Sequence, residues 1–264
     1  MKRATTVVLA ALLAGACANK SAPHAPATNQ PRTVQDLTAM VINRFPHDRG
    51  AFTQGLVYAQ GKLYESTGMV GRSSLRRVDL TTGTVELSKP VEEPIFAEGL
   101  ALAGDELIQI SWQNGRALVW RLGTFERLRE HSYTGEGWGL TFDGTRLIMS
   151  DGSARLTFRD PRSFAATGGV DVTRGGRPVP NLNELEWADG HLYANVWMTE
   201  TIVRIDAASG EVTATIDASG LLSPEERQGT DVLNGIAYVP ERGTFFLTGK
   251  YWPRLFEVKF VPRS

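Results

Sequence analysis

The feature that most constrains this chain is an internal repeat. Five segments share one pattern: glycine or glutamate, an apolar run, a tight turn, and a second apolar run. They are GLVYAQGKLYESTG from Gly55, GLALAGDELIQISW from Gly99, GLTFDGTRLIMSDG from Gly139, ELEWADGHLYANVW from Glu184 and GIAYVPERGTFFLTGK from Gly235. Successive starts lie 44, 40, 45 and 51 residues apart. Units of this size bury their apolar faces by stacking on one another, and a period near ~45 is that of a four-stranded propeller blade.

Within each unit the pattern is that of strands. The turns Gln60-Gly61, Gly104-Asp105, Asp143-Gly144 and Asp189-Gly190 supply the positive φ of tight hairpins. Third strands follow at Ser74–Leu80, Arg116–Leu122, Arg155–Asp160, Thr201–Asp206 and Arg254–Phe260, most of them alternating β-branched or aromatic residues with polar ones. Turns at Asp79–Gly83 and Asp206–Gly210 lead into fourth strands. A β-sandwich also spaces short strands regularly, but it does not require five similar units. The expected fold is therefore all-β: one five-bladed β-propeller over residues 34–264.

The fifth unit ends at Phe260 without a fourth strand, and Thr38–Arg44 has strand character with no other place. This segment is expected to complete blade five, closing the ring and removing two unpaired sheet edges. The insertion LLSPEERQGTDV, residues 221–232, reads as a loop with a helical turn at Ser223-Pro-Glu-Glu.

The first residues read as an address. Lys2 and Arg3 precede an apolar run from Ala4 to Ala16, too short for a stable bilayer span. Small residues before Cys17 fit a bacterial lipoprotein signal over residues 1–17, with Cys17 the lipidated residue; a plain secretory signal cut nearby is the alternative. Residues 18–33, rich in Ala, Pro, Asn and Ser, read as a flexible tether. The protein is thus expected to be exported to the cell envelope, anchored on the outer-membrane or periplasmic face. A net charge of −1 with interspersed signs gives no reason to expect nucleic acid as a partner. Four scattered histidines and a single cysteine make a thiolate or imidazole metal site unexpected, and a monomer without cofactor is the expectation.

Equivalent positions in the blades of a propeller form rings around its axis, so aligning the repeats aligns a site. The residues before each opening strand are Gln54, Glu98, Trp138, Asn183 and Asn234. Those closing each second strand are Gly68, Trp112, Gly152, Trp197 and Lys250, and Phe52 and Phe96 each lie two residues before their ring member. Any one of these tryptophans is readily read as packing between blades. Three at related channel positions, beside one carboxyl and one ammonium, point to a ligand site shaped as an aromatic box with polar groups at its rim.

The motifs FTQGLVY, LYESTGMVGRSSLRRVDL, FAEGLAL, GEGWGLTFDG, NELEWADGHLYANVW and LNGIAY, in that order from about Val41 to Phe260, resemble the plant-type glutaminyl cyclases, which also occur in bacteria. The resemblance implies a five-bladed propeller that converts the N-terminal glutamine of peptides to pyroglutamate, releasing ammonia without a catalytic metal. It also implies channel residues at Phe52, Gln54, Phe96, Glu98, Trp112, Trp138, Asn183, Trp197 and Lys250; Asn234 is added by ring symmetry alone. In that chemistry the α-amine attacks its own side-chain amide carbon. Glu98 would shuttle the proton from amine to departing ammonia, Gln54, Asn183 and Asn234 would orient the amide, and Lys250 would either stabilise the oxyanion or tune Glu98. Two other classes stay open on the residues alone. One is a metal-dependent propeller lactonase, with Glu98, Asn183 and Asn234 as oxygen donors; the other is a non-catalytic peptide-binding propeller.

Overall fold

The computed structural model describes residues 33–263, together with Met1. The expectations for the leader, for Cys17 and for the tether lie outside the described residues, save for Met1 and Thr33. Among the described residues there are strands and turns and no helix.

Four antiparallel strands make each blade. Blade one runs Thr53–Ala59, Lys62–Thr67, Ser74–Val78 and Val85–Pro90, and blade two Ala97–Ala103, Glu106–Ser111, Arg116–Arg121 and Arg127–Ser132. Blade three is Leu140–Phe142, Leu147–Met149, Arg155–Arg159 and Ala166–Asp171; blade four is Leu182–Ala188, His191–Val196, Thr201–Ile205 and Val212–Asp217. Blade five takes Leu233–Val239, Thr244–Gly249 and Arg254–Pro262 from the C-terminal end of the chain, and its fourth strand, Gln35–Pro46, from the N-terminal end. The expected hairpin turns are present. Gln60-Gly61 and Asp189-Gly190 carry positive φ at both central residues, the geometry whose twist matches that of the flanking strands. A small extra hairpin, Thr173–Arg174 with Arg177–Pro178, stands between blades three and four and turns on Gly175-Gly176.

The closing strand is longer than its sequence signature and pairs on both sides. It runs antiparallel to the last strand, from Leu37 opposite Pro262 to Pro46 opposite Arg254. Its first residues also run parallel to the outer strand of blade four, Gln35 opposite Ala214 and Thr38 opposite Asp217. Blades four and five thereby form one eight-stranded sheet. The insertion before blade five is a loop whose turn is pinned by a reciprocal capping pair. The Glu226 amide donates to Ser223 Oγ at 3.3 Å, and the Ser223 amide donates to the Glu226 carboxylate at 3.2 Å. One i to i+4 bond, Arg227 to Ser223, follows and the helix goes no further.

The apolar core is divided into five clusters, one at each interface between neighbouring blades. Between blades one and two, for example, Tyr64 and Leu75 pack against Leu100, Leu107 and Trp120. Burying a large side chain contributes roughly 1.5–3 kcal/mol, so blade stacking is held mainly by these interfaces. At the axis the inner strands converge. A Cβ on Gly139 would stand 2.1 Å from the Asn183 carbonyl oxygen, and one on Gly55 2.4 Å from the Leu100 amide nitrogen. Glycine is what lets the blades meet. The fourth repeat breaks this rule: its Glu184 is fully buried and bridges the axis, accepting the Leu56 amide at 3.2 Å and the Ile236 amide at 2.9 Å.

Candidate functional site

The first ring is positioned by irregularities in the inner strands. In blades one, two, four and five the pairing register slips between Thr53 and Gly55, Ala97 and Leu100, Leu182 and Leu185, and Leu233 and Ile236. Gln54, Glu98, Asn183 and Asn234 lie inside those four slips. A bulge of this kind re-aims a side chain and is over-represented beside active sites. The second ring is tied to the first through backbone. The amides of Gly68, Trp112, Trp197 and Lys250 donate to the carbonyls of Phe52, Phe96, Asn181 and Val232, each two residues before the ring member of its own blade.

Polar groups line the inner ring. Asn234, fully buried, donates from Nδ2 to the Thr53 carbonyl at 3.0 Å and to Gln54 Oε1 at 3.3 Å. Gln54 donates in turn from Nε2 to Glu98 Oε1 at 2.8 Å. This chain settles the Gln54 amide orientation and leaves Glu98 Oε2 without a protein partner among the described residues. Burial pushes the Glu98 carboxyl well above the usual carboxylate range; the Lys250 charge opposes that shift and the Glu136 charge adds to it. Asn183 is buried and its Oδ1 has no hydrogen-bond partner. A buried carboxamide oxygen with nothing to accept is free to receive a ligand donor.

Lys250 is also buried, and its Nζ lies 4.6 Å from the centre of the Phe52 ring. Burial pulls its pKa below the ordinary lysine value, against the opposing pull of Glu98 and Asp231. Its ammonium makes no protein hydrogen bond among the described residues.

The aromatic side chains form a continuous arc. Tyr251 meets Phe52 edge-on at 5.1 Å between ring centres, Phe52 meets Phe96 at 6.0 Å, and Phe96 meets Trp112 at 5.8 Å. On the other side Trp138 meets Trp197 at 5.5 Å, also edge-on. Two ring glycines make room for these side chains. A Cβ on Gly152 would come within 2.6 Å of the Trp138 indole, and one on Gly68 within 2.4 Å of the Phe96 ring. Trp112 and Trp197 are each 37% exposed, which for so large a side chain leaves a broad face open at the channel mouth.

One residue of this site was missed by the repeat alignment. Glu136 joins the two halves of the arc: its Oε2 accepts the Trp112 indole N–H at 2.8 Å and the Trp138 indole N–H at 3.0 Å, while its Oε1 accepts Gln113 Nε2 at 2.9 Å. Hydrogen bonds from Gln113, Trp138 and Trp112 hold its pKa below the ordinary glutamate value. Glu136 lies two residues before Trp138, as Phe52 and Phe96 lie before Gln54 and Glu98, so carrying that offset into blade three is the signal that could have found it. Of the ten channel residues expected from sequence, Asn234, Gln54 and Glu98 share one hydrogen-bonded chain, Lys250, Phe52, Phe96 and Trp112 one line of contacts, and Trp138 and Trp197 a ring pair, while Asn183 lies buried in its strand slip with its Oδ1 unpartnered.

The model of the family described as glutamine cyclotransferase matches residues 7–260. The chain is 40% identical over 230 residues to a glutaminyl-peptide cyclotransferase of Arabidopsis thaliana, spanning 85% of this chain and 72% of that protein. Among solved structures it superposes on the crystal structure of Myxococcus xanthus glutaminyl cyclase with a TM-score of 0.81 and 41% identity, over 88% of this chain and all of that one. With its five blades and its ring of Gln54, Glu98, Trp138, Asn183 and Asn234, this chain belongs to the glutamine cyclotransferase family.

Proposed function

We propose that the chain is a glutaminyl-peptide cyclotransferase, in which the α-amine of an N-terminal glutamine displaces ammonia from its own side-chain amide. The observation that carries the mechanism is the buried Glu98 carboxyl, held at one oxygen by Gln54 and without a protein partner at the other among the described residues.

The amine nitrogen attacks the amide carbon, and the new C–N bond closes a five-membered ring. Holding the side chain coiled brings nucleophile and carbonyl together, which can supply up to ~7–11 kcal/mol. The open faces of Trp112 and Trp197, with the half-buried Trp138 beside them, suit the apolar Cβ–Cγ stem, because they confine it without competing hydrogen bonds. The free Oε2 of Glu98 takes the proton that the attacking amine sheds and returns it to the departing nitrogen, so that the C–N bond of the old amide breaks as ammonia leaves. A carboxyl raised toward neutrality by burial is suited to both halves of that transfer. Lys250, buried and without a protein acceptor, faces the negative charge that develops on the carbonyl oxygen, and Asn183 is free to hold the amide. Asn234 serves at one remove, by orienting Gln54.

The test is release of ammonia from peptides with N-terminal glutamine. Turnover undiminished by a chelator is expected. Turnover abolished by chelator and restored by a divalent ion would favour the metal-dependent reading, and binding without ammonia release the peptide-binding one.

The proposal extends to placement. The basic start, the short apolar run and the small residues before Cys17 support export and lipid anchoring at Cys17, with residues 18–33 as tether. Cys17→Ser is expected to move the protein from the membrane to the soluble fraction; a wild-type protein that is wholly soluble would refute the anchor.

A further inference from the structure

The aromatic arc around the channel mouth has one opening. It runs without a break from Tyr251 through Phe52 and Phe96 to Trp112, across Glu136 to Trp138, and on to Trp197. No ring contact joins Trp197 back to Tyr251 among the described residues. At that gap, between blades four and five, lies a groove of about 410 Å³. One wall is Met198–Glu200, directly after Trp197. The other is the end of the blade-five insertion, Thr230–Val232, whose Asp231 amide donates to the Lys250 carbonyl at 2.9 Å. The groove thus borders the site on both sides: one wall follows Trp197 in the chain, and the other is bonded to the Lys250 backbone and places the Asp231 charge near enough to act on the Lys250 ammonium.

Its charge is asymmetric. Glu200 is neutralised by Arg227 at 2.6 Å. Asp231 makes no ion pair among the described residues, its Oδ1 accepting only the Val232 amide at 2.6 Å. Opposite stands Met198, 66% exposed and flexible enough to lie against the stem of a varied side chain.

A glutamine seated in the channel places the Cα of the second residue only about 3.8 Å from its own. That residue must therefore leave through the mouth. We propose that this groove is the subsite for the second residue of the substrate, and that it favours a cationic side chain, with Asp231 facing the charge and Met198 covering the stem. The inference rests on the glutamine-cyclising reading of the channel.

The experiment compares kcat/KM for three dipeptide amides, Gln-Arg, Gln-Glu and Gln-Ala, and for glutamine amide, which has no second residue. An exposed charge pair of this kind is worth about two- to fivefold, so Gln-Arg is expected to exceed Gln-Glu by at least that ratio, and the ratio is expected to shrink as salt rises. Asp231→Lys is expected to invert it. Any change that Asp231 makes in the Lys250 field acts on all substrates alike and cancels in the ratio. Met198→Lys, on the opposite wall, is expected to lower the ratio too, and keeps the test open should the Asp231 variant misfold. A wild-type ratio near one, or a ratio that neither variant moves, overturns the subsite while glutamine amide turnover leaves the cyclase reading intact. Absence of turnover with all four substrates overturns both.

Discussion

Gln54 donates a hydrogen bond from Nε2 to Glu98 Oε1 at 2.8 Å, across the boundary between blades one and two. The carboxyl thus receives a neutral donor on one oxygen, while its other oxygen has no protein partner among the described residues. Glu98→Gln preserves shape and is expected to fold and to bind N-terminal glutamine peptides while losing about 10²-fold or more in turnover. Near-normal turnover in that variant would remove Glu98 from the reaction. Because burial raises the Glu98 pKa and the proposed base must be ionised, the acid limb of the kcat/KM profile is expected above the usual carboxylate range. Lys250 opposes that shift and Glu136 adds to it. Lys250→Met should therefore move the limb to higher pH and Glu136→Gln to lower pH.

Glu136 also fixes the geometry of two tryptophans. Replacing it by alanine frees both indoles and is expected to reduce kcat/KM by about tenfold, since each lost charge-assisted hydrogen bond is worth roughly 1.5–3 kcal/mol in place and part of that is recovered by water. Glu136→Gln can still accept the indole protons through its carbonyl oxygen and should restore most of the activity. Equal damage from both variants would show that the charge matters and the positioning does not.

The closing strand carries a stability prediction. Deleting residues 34–45 removes the partner of Arg254–Pro262 and the parallel partner of Val212–Asp217, leaving two rows of unpaired backbone groups. His47, next along the chain, is buried and pairs with Glu65 of blade one at 3.1 Å, so strain at this end is passed to a second blade. The deletion is expected to lower the melting temperature sharply and to promote aggregation, whereas deleting 18–33 should not. Equal melting of the two truncations would refute the closure role.

Two further acids lie on the inner strand of blade four. Burial pushes Glu184 well above the usual range, with the Glu186 charge adding to it, and burial pushes Glu186 up to about 8. A carboxyl whose folded pKa is raised binds more protons folded than unfolded, so stability falls as pH rises from its unfolded value near 4.5 through its folded value. Thermal melts are expected to drop between pH 5 and about 8. Glu186→Gln, which keeps an acceptor for the Tyr238 amide, should flatten part of that slope. A slope unchanged in the variant would assign it elsewhere, with the buried His47 the first alternative. Its pKa is lowered by burial but raised overall by Glu65, so its pairing is likewise lost as pH rises.

The sequence by itself determined the repeat, and with it the blade count, the hairpin turns, the N-terminal strand that completes blade five, and the two rings of residues facing the axis. It could do so because a propeller maps a linear period onto a circle: residues at equivalent repeat positions must share a radius and a height. What only the tertiary structure decided depends on contacts between blades, and no period encodes these. The four register slips that turn Gln54, Glu98, Asn183 and Asn234 toward the axis are local departures from strand alternation. The bond from Gln54 to Glu98 spans 44 residues of chain, and the hold of Glu136 on Trp112 spans 24. Glu184 reads in sequence as one more repeat start. Only the convergence of the inner strands shows it filling the place of a glycine and satisfying amide donors from blades one and five. The gap in the aromatic arc is likewise a property of the closed ring, because an insertion becomes the wall of a groove only when the blade before it stands opposite.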